Sequence, residues 1–575
     1  MKNLELAKIF DEIADCLETR DVEFKPRAYR RVARVLESAA EDVGQVYHDG
    51  GREALEKISG VGGSIAKKIA EYIETGKLKY YQQQKKLCPV DLSELTAIEG
   101  VGPKMVRQFY KKLGVKTLDQ LEKAARQHKI QKLAGFKAKT EENILKGIEF
   151  LKKSQGRHLL GLTLLLMNEV IGQLKKLKEV DQISPAGSVR RMKETIGDLD
   201  ILVTTSKPKK VIDYFVKLPQ VVRVYGQGPT RASVRFRYKM DGDLRVVPKA
   251  AYGSALQYFT GNKDHNIKLR KIAITKGYKL NEYGLYKGRK RIAGKTEAEI
   301  YKKLGLKIME PELRTDSGEI DALIKNKLPQ IVGYDDIRGD LQLHSKWSDG
   351  LNSIKEMAVE AKKIGHQYMA ISDHVGRLRI ANSLSNKEIK SYLKEIEKLN
   401  KEIKNFTILK GAEVSIEADG SLDVKDEYLK QFDFVIAAVH SRFNLPRTQM
   451  TKRIIRAMNN KYVSTIGHPT GRLIFSREEY SLDLNKIYQA ASRTKTALEI
   501  NSSMDRLDLR DKYIRAALQY NVKFTIGSDA HNKEQLNSIY LGVAQARRGW
   551  AAKKDILNCL TVKQLLGWLG QKRKK

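Results

Sequence analysis

Two aspartates separated by a single residue open an apolar run in the middle of the chain. They are Asp198 and Asp200, in the segment Gly-Asp-Leu-Asp-Ile-Leu-Val at residues 197–203. Residues two apart in a strand point to the same side, so both carboxylates can share divalent cations. Asp243 lies in a second apolar run that could pair alongside the first. Three carboxylates around two cations roughly 3.5–4 Å apart suit in-line phosphoryl or nucleotidyl transfer.

A phosphate-binding turn is predicted just before these aspartates. Residues 187–191 read Gly-Ser-Val-Arg-Arg, which offers backbone N–H groups and two guanidinium groups to a triphosphate. An Asp-x-Asp pair alone is common on solvated strands and says little. The turn, the arginines and the third aspartate together favour a catalytic site.

A second set of residues with metal-binding chemistry occupies the C-terminal third. Five histidines stand in short motifs after residue 340, each at the end of a strand-like apolar run, accompanied by carboxylates. Neutral imidazoles and carboxylates without thiolates suit zinc, manganese or iron. One histidine at a strand end is usually structural, but this many are hard to explain as packing. The candidate ligands are His344, Asp349, His374, Glu413, His440, His468, Asp529 and His531.

The elements that must position these ligands alternate between strand-like and helix-like patterns. Ligands at the C-terminal ends of successive parallel strands are typical of a (β/α) barrel. Residues 497–501, Ala-Leu-Glu-Ile-Asn, form a seventh apolar strand without an obvious ligand, and His366 is interpreted as an ordinary helix residue. The pattern therefore predicts a barrel with a metal cluster at one end.

The N-terminal third contains a repeat. Residues 58–62 (Ile-Ser-Gly-Val-Gly) recur as residues 98–102 (Ile-Glu-Gly-Val-Gly), each between amphipathic helical patterns, and residues 133–137 are a degenerate third copy. Glycines permit a tight turn whose N–H groups, at a helix N-terminus, attract phosphates. This helix–hairpin–helix pattern predicts sequence-independent binding of the DNA backbone. The alternative is that these segments are ordinary turns between helices. The predicted DNA contacts are Gly60, Gly62, Gly100, Gly102 and Lys104.

The charge of the chain indicates a polyanionic partner. The 575 residues carry a formal net charge of +38, and such self-repulsion contributes nothing to folding. A lysine-rich proteome is the alternative explanation. The length predicts several domains. There is no apolar run long enough for a membrane helix, no secretion signal, and no cysteine pattern typical of disulfides or thiolate zinc sites. We expect a cytoplasmic monomer without membrane association.

The order of these motifs closely resembles family X DNA polymerases with a C-terminal polymerase and histidinol phosphatase (PHP) domain. The resemblance spans nearly the whole chain and includes Tyr-Phe-Thr-Gly at residues 258–261. It implies a multidomain α+β and α/β fold with helical helix–hairpin–helix domains, a nucleotidyltransferase palm with an antiparallel or mixed sheet, a thumb, and a distorted (β/α)7 barrel. The implied domains are 1–82 (lyase-like), 83–152 (fingers-like), 153–252 (palm), 253–317 (thumb, nucleotide-selecting), 318–336 (linker) and 337–575 (PHP).

The resemblance also implies roles in the polymerase half. Asp198, Asp200 and Asp243 would hold Mg²⁺ or Mn²⁺, with Asp243 nearest the primer hydroxyl. Tyr258 and Phe259 would form a step that disfavours a 2′-hydroxyl. Met192 stands where the family usually has glycine, which predicts only a local change in the loop. The implied nucleotide contacts are Gly187, Ser188, Arg191, Gly197, Tyr258, Phe259, Gly261, Asn266 and Arg270.

Lys67 and Lys68 follow the first hairpin motif, and alignment places Lys68 at the family's lyase position. A lysine among other cations can have a lowered pKa and form a Schiff base with an abasic sugar. A solvated lysine or a plain phosphate contact is the alternative.

For the C-terminal domain the resemblance implies up to three ions, Mn²⁺ and/or Zn²⁺. Gln342 stands where PHP proteins generally have a histidine, and its amide is a weaker ligand, so the first site is expected to bind less tightly or to prefer manganese. The implied groups are Gln342, His344, Glu413 and Asp529 for the first ion, Glu413, His440 and His468 for the second, and Asp349, His374 and His531 for the third.

The leading hypothesis is a DNA-directed DNA polymerase that fills short gaps from dNTPs during base-excision-type repair. It would act on gapped duplexes, primer–templates and 5′-phosphates, and its PHP domain would supply 3′→5′ exonuclease and 3′-end processing; abasic-site processing is a further hypothesis. One alternative is a nucleotidyltransferase acting on RNA and fused to a small-molecule phosphoesterase. Another is a DNA-binding scaffold with vestigial metal sites.

Overall fold

The computed structural model describes residues 2–574 except residues 21, 40–41, 59, 89, 99, 155 and 379–380. Ser59 and Glu99, the second residues of the two hairpin motifs, therefore lie outside the described residues.

The N-terminal region is helical and packs around two apolar cores. Amphipathic spacing explains the first core: Leu6, Phe10, Ile13 and Leu17 recur on one face of the first helix and are at most 3% exposed. The second core lies among the helices that follow Cys88. The helices are α1 (Lys2–Glu18), α2 (Lys25–Ser38), α3 (Val43–Glu56), α4 (Gly63–Thr75), α5 (Lys79–Leu87), α6 (Leu92–Thr96), α7 (Pro103–Leu113), α8 (Leu118–Arg126) and α9 (Ala138–Ser154).

A five-stranded mixed sheet follows. The elements of this region are β1 (His158–Leu159), α10 (Leu160–Leu174), β2 (Gln182–Pro185), α11 (Gly187–Arg190), β3 (Thr195–Ile196), β4 (Asp198–Thr204), α12 (Pro208–Val216), β5 (Val221–Gln227), β6 (Arg231–Phe236) and β7 (Asp241–Val246). Strands β1 and β3 pair with each other in a separate two-stranded sheet, and the remaining five strands form the mixed sheet. The strand order is β2-β4-β7-β6-β5. The β4–β7 pair is parallel and the other pairs are antiparallel. Apolar residues of β4, β6 and β7 pack beneath the sheet against α10 and α12.

A small α+β unit comes next. It contains a three-stranded antiparallel sheet in the order β10-β9-β8. Its elements are α13 (Tyr252–Thr260), α14 (Lys263–Thr275), β8 (Lys279–Asn281), β9 (Gly284–Lys287), β10 (Lys290–Ala293), α15 (Glu297–Lys303) and α16 (Glu319–Ile324).

The C-terminal region is a barrel of parallel strands in the order β11-β12-β14-β15-β16-β17-β18, with β13 beside β14. A single bridge between Leu343 and Ala530 joins its first and last strands, so the closure is irregular. The elements are β11 (Gly339–Leu343), α17 (Ile354–Lys363), β12 (Tyr368–Ile371), β13 (His374–Val375), α18 (Ile389–Glu402), β14 (Thr407–Ser415), α19 (Asp426–Leu429), β15 (Phe434–Ala438), α20 (Arg447–Met458), β16 (Thr465–Ile466), α21 (Leu484–Thr494), β17 (Ala497–Asn501), α22 (Asp511–Leu518), β18 (Phe524–Gly527), α23 (Ile539–Arg548) and α24 (Val562–Arg573).

The predicted fold class is confirmed, from the helical N-terminal region to the distorted seven-stranded parallel barrel. Cys16, Cys88 and Cys559 are buried and free. Among the described residues, no helix has the length and apolar character needed to cross a bilayer.

Candidate active sites

The two central strands of the mixed sheet carry the three predicted aspartates. Strands β4 and β7 pair in parallel, and Asp200 lies directly opposite Asp243. Asp198 points to the same side as Asp200 because the two are separated by one residue in β4. Asp243 accepts hydrogen bonds from the Ser233 hydroxyl and from the guanidinium of Arg231, the latter at 2.9 Å. The structure thus brings all three carboxylates to one face of the sheet.

The electrostatics of this face favour a divalent cation. Burial, followed by the charges of Asp198 and Asp243, raises the pKa of Asp200 to about 7. Neighbouring carboxylates repel one another unless a cation lies between them. The cluster of Asp198, Asp200 and Asp243 therefore fits Mg²⁺ or Mn²⁺. Gly187 is required beside it: its φ is +59°, and a Cβ there would lie 2.2 Å from Asp200 Oδ2.

The predicted phosphate turn forms the short helix α11, directly against the carboxylates. Ser188 is half-buried, and Gly197 is open apart from Arg157, whose Nη1 lies 3.8 Å from a Cβ placed at Gly197. Arg157 Nε also donates to the Thr195 hydroxyl at 2.8 Å. Arg157 was not predicted, because it precedes the turn by thirty residues and belongs to no motif.

The two arginines of the turn differ in their contacts. Arg190 donates to the Thr260 hydroxyl at 2.6 Å and forms a two-point ion pair with Glu297 at 2.6 and 2.9 Å. Arg191 donates through Nη1 to the Thr260 carbonyl, and burial together with the charge of Arg548 lowers its pKa to about 10. The charge of Arg190 is therefore compensated by Glu297. Arg191 bonds to a neutral carbonyl, so its charge is the one available to a triphosphate.

Met192 follows these arginines with a left-handed backbone. Its φ is +50°, a conformation that glycine adopts without strain and other residues adopt at a cost. Because glycine is favoured in this conformation, methionine is expected to alter the loop only locally, and this stays a prediction.

The end of α13 supplies the predicted aromatic step. The rings of Tyr258 and Phe259 meet edge to face with centroids 5.2 Å apart, and Tyr258 is 36% exposed. Phe259 lies under the guanidinium of Arg245, 4.7 Å from its ring centre, and both line a narrow cleft with Asp200 and Asp243. Gly261, next but one, has a φ of +67° and lies beside Arg191.

The two predicted base contacts lie on α14 behind this step. Asn266 is buried, accepts a hydrogen bond from the Gln257 amide at 2.6 Å and donates to the Tyr258 carbonyl at 2.7 Å. Arg270 is exposed, and its Nε lies 3.4 Å from the Asn266 carbonyl. In this structure Asn266 supports the backbone of the aromatic step, while Arg270 faces solvent.

The two hairpin motifs have the same backbone geometry. Gly60 and Gly100 have φ values of +81° and +79°, and in each hairpin the next amide donates to the carbonyl three residues earlier at 3.0 Å. Gly62 and Gly102 then cap the following helix with φ near −90°. The third copy repeats the turn with Gly135 at +88° and the same hydrogen bond at 3.1 Å. Lys104, after the second hairpin, is exposed.

Lys68 lies on α4 in a partly aromatic environment. Its Nζ sits 4.9 Å from the ring centre of Tyr80, which stacks on Tyr29, and it donates to the Ser64 carbonyl at 3.1 Å. Burial, with a smaller contribution from the charge of Lys25, lowers the pKa of Lys68.

The C-terminal ligands converge at the C-terminal ends of the barrel strands. Among the residues that the structure describes, three overlapping groups form, in each of which one ligand atom per residue lies within 4.8 Å of the others. His344, His374 and Glu413 each belong to two groups, so the groups share ligands more than the sequence predicted. The groups are His344, Asp349, His374 and His531; His374, Glu413 and His440; and His344, Glu413 and Asp529.

Glu413 is the centre of this cluster. Its Oε1 lies 2.9 Å from His440 Nε2 and 3.4 Å from His468 Nε2, and its side chain is 2% exposed. Although burial opposes ionisation, the neighbouring histidines hold the pKa of Glu413 well below its usual value. Burial lowers the pKa of His374 to about 4, which leaves its imidazole neutral and able to ligate a metal.

Gln342, the departure from the family pattern, is 1% exposed and donates from Nε2 to Glu413 Oε2 at 2.8 Å. Among the described residues its Oε1 has no hydrogen-bond partner. Glu499 was not predicted, yet its Oε2 accepts from the His468 amide at 2.6 Å and from the Asn501 side chain at 3.3 Å. The sequence feature that could have indicated Glu499 is its position as a single carboxylate within an apolar strand.

The donor set fits divalent cations. The Nδ1 atoms of His344, His374 and His468 are buried and find no hydrogen-bond partner among the described residues, and the Nε2 atom of each ring lies within 4.0 Å of a carboxylate. Buried polar atoms are normally satisfied, so such a concentration indicates a site built for ions.

Family models match four parts of the chain. They describe a helix–hairpin–helix domain at residues 1–78, a SAM-like helix–hairpin–helix tandem at 92–149, a DNA polymerase beta thumb at 255–315, and a PHP domain at 340–503.

Curated relatives match the whole chain or part of it. The chain is 37% identical over 574 residues to the DNA polymerase/3′-5′ exonuclease PolX of Bacillus subtilis (strain 168), with 99% of each protein covered. It is 33% identical over 190 residues to a probable phosphatase of Thermoanaerobacter sp. (strain X514), which spans 31% of this chain and 73% of the relative. A probable phosphatase of Caldicellulosiruptor bescii is 29% identical over 194 residues, 32% of this chain and 75% of its own.

Proposed function

The chain belongs to the family X DNA polymerases that carry a C-terminal PHP domain, and on this premise we propose that it is a gap-filling repair polymerase with separate synthetic and hydrolytic sites. The polymerase and 3′→5′ exonuclease activities follow from the full-length relationship. The observation that carries the assignment of the synthetic site is the register of β4 and β7, which sets Asp200 opposite Asp243 beside Asp198.

In the synthetic site, Asp198, Asp200 and Asp243 would hold Mg²⁺ or Mn²⁺, which neutralise charge on the attacking and leaving oxygens. Asp243 is the carboxylate we assign to the primer 3′ end. Gly187, Ser188, Arg191 and Gly197 would bind the triphosphate, with Arg157 as an added cation beside Gly197. The Tyr258–Phe259 step would select deoxyribose by filling the space that a 2′-hydroxyl needs. Gly261, Asn266 and Arg270 would complete the nucleotide site.

In the hydrolytic site, buried imidazoles and carboxylates would hold up to three Mn²⁺ or Zn²⁺ ions, which supply Lewis acidity and a reactive water for phosphodiester cleavage. Glu413 would join the ions because its carboxylate lies between two ligand groups. Glu499 would orient the His468 backbone through its 2.6 Å hydrogen bond. Gln342 would hold Glu413 in place through its amide and contribute less as a ligand than a histidine.

The substrates we propose are gapped duplexes with a 5′-phosphate, primer–templates and dNTPs. The three hairpins, centred on Gly60, Gly100 and Gly135, would bind the DNA backbone. We assign residues 1–82 and 83–152 to DNA binding, 153–252 to the palm, 253–317 to the thumb, 318–336 to a linker and 337–575 to the exonuclease.

Single substitutions test the separation of the two sites. We expect Asp200→Ala to abolish primer extension on a gapped duplex and to leave 3′→5′ degradation without dNTPs near wild type. Asp529→Ala should do the reverse. Asp213→Ala is the matched control and should retain both activities, because Asp213 pairs with the exposed Lys209 on the solvent side of α12.

Loss of the nuclease in Asp200→Ala with extension intact would contradict the assignment. The same assay run with NTPs in place of dNTPs tests the deoxyribose step, because an enzyme without that step would incorporate NTPs at least as well as dNTPs. Titration of Mn²⁺ against Mg²⁺ in each activity would identify the ions.

A further inference from the structure

The C-terminal barrel contacts the triphosphate-binding loop of the palm, which we take as residues 187–197. Arg548, at the end of α23, donates from Nη1 to the main-chain carbonyl of Arg191 at 2.9 Å. Its Nη2 is held by Asp511 at 2.6 Å, and its side chain is 8% exposed. The contact therefore joins residues 357 positions apart.

A second contact lies three residues further along the same loop. Glu194 accepts from Arg472 and from Arg510, both at 2.8 Å and both from the C-terminal barrel. Arg472 is 5% exposed, and Arg510 is braced in turn by Glu479 at 3.0 Å. The two arginines hold the pKa of Glu194 at about 2 against the opposing effect of its burial. The carboxylate is therefore fixed as a charged group between the domains.

Apolar packing makes this interface continuous. Leu507 and Leu541 of the barrel belong to the buried core of the palm and are at most 1% exposed. Gly161 of α10 lies so close to Met504 that a Cβ there would come within 2.7 Å of the Met504 Cβ. An interface with a shared core and charged residues at fixed distances holds one relative placement of the domains.

We propose that Arg548, together with the Arg472–Glu194–Arg510 cluster, positions the triphosphate-binding loop, so that the exonuclease barrel is a structural part of the polymerase site. The proposal rests on the function proposed above. Arg548, Arg472 and Arg510 are positioning residues, because their contacts are to the Arg191 carbonyl and the Glu194 carboxylate of the loop.

The amides of Met192 and Lys193 bond within the loop, to the Val189 carbonyl at 2.9 Å and the Ser188 carbonyl at 3.1 Å, whereas the Arg191 carbonyl is held by Arg548 of the barrel. The Arg191 side chain is tied to the Thr260 carbonyl, its main chain is tied to Arg548, and the left-handed Met192 comes next. Without Arg548 the Arg191 carbonyl would lose a charged donor. The main chain from which the Arg191 guanidinium extends would then be held less firmly. The charge of Arg548 also acts on Lys193, which adds to the positive potential that a triphosphate meets.

The first test compares dNTP kinetics of Arg548→Ala with those of Arg456→Ala. Arg456 is the matched control, because it also binds one carboxylate and one main-chain carbonyl, those of Asp419, but within the barrel. For Arg548→Ala we expect KM for dNTP to rise roughly tenfold, the effect of one charge-assisted hydrogen bond, with kcat little changed. Exonuclease kinetics and the unfolding temperature should stay near wild type, and Arg548→Lys should recover part of the KM.

The second test uses Glu194→Gln, which keeps the shape and removes the charge that the two arginines share. It should also raise KM for dNTP and spare the nuclease. An unchanged KM in both Arg548→Ala and Glu194→Gln would overturn the proposal, and so would parallel losses in both activities, which indicate general damage to the fold. If the wild-type protein fails to extend primers at all, the proposed function fails instead, so the two failures are distinguishable.

Discussion

At the scale of single residues, neighbours of the same type have different surroundings. Lys67 is exposed, whereas Lys68 is half-buried with its amine over Tyr80. Burial removes water from the Lys68 ammonium and Lys25 adds a like charge, so the neutral amine is favoured at a lower pH than usual. A neutral amine is what attack on a sugar aldehyde requires.

Lys68→Ala is therefore expected to abolish borohydride trapping of an adduct with DNA that carries a 5′ abasic sugar phosphate, while Lys67→Ala retains it. For the wild type, trapping should increase with pH and reach half its maximum below the ordinary lysine pKa of about 10.4. Gel separation of the trapped complex measures both. Equal trapping by the Lys68→Ala variant would assign Lys68 to phosphate contact or to solvent.

Side chains within motifs were predictable, and those outside them were not. Asp198, Asp200 and the barrel histidines have types and spacings that fit one chemistry. Arg157 and Glu499 have no such spacing, and only the folded sheet and barrel bring them to the sites. Arg190 and Arg191 are adjacent residues of the same type, so the sequence does not distinguish them. Their partners differ because the fold places Glu297, over a hundred residues away, beside Arg190.

At the scale of elements, the three N-terminal hairpins are variations on one turn. Each needs a residue with positive φ followed by a helix start, and glycine at that position avoids a strain of about 1–2 kcal/mol. Apart from its chain neighbours, no described residue places an atom within 4 Å of a Cβ built at Gly100, which leaves room for a ligand there. The repeat was visible in the sequence because this backbone demands glycine.

Gly100→Ala should weaken binding to gapped duplex DNA several-fold, because the Cβ occupies the space a phosphate would use and the turn is strained. Gly114→Ala is the matched control: Gly114 also has a positive φ, +68°, and open space, but it ends α7 away from the hairpin. Both variants should lose about 1–2 kcal/mol of stability, a value set by the backbone alone. Fluorescence anisotropy measures the affinity. If the two variants bind DNA equally, the hairpin does not hold phosphates.

The barrel was predictable as a class because each histidine motif ends an apolar run, which fixes strand ends before any topology is known. The sharing of His374 between two ligand groups was not, since it depends on β13 pairing with β14 at Glu413. Strand register is a tertiary property, and a pattern of residue types does not specify it.

At the scale of the whole molecule, the net charge and the arrangement of the domains both fit DNA as the substrate. The chain carries a net charge of +38, and its sites and hairpins are built to meet phosphates. Leu507 and Leu541 of the barrel pack into the core of the palm, so the two sites have one relative placement. No stretch of sequence indicated this interface, because its partners, such as Arg548 and Arg191, are far apart in the chain.

Affinity for a gapped duplex should therefore fall steeply with salt. If the protein neutralises six or more phosphates, the dissociation constant should rise roughly a thousandfold between 50 and 200 mM salt, because the logarithm of the association constant falls with the logarithm of salt concentration at a slope steeper than about −5. Removal of the 5′-phosphate at the gap should lower the affinity and make the slope shallower, because one strongly charged contact is lost. Anisotropy titrations at several salt concentrations measure both quantities. A nearly flat dependence would mean that the +38 charge is spread over surfaces that do not contact DNA.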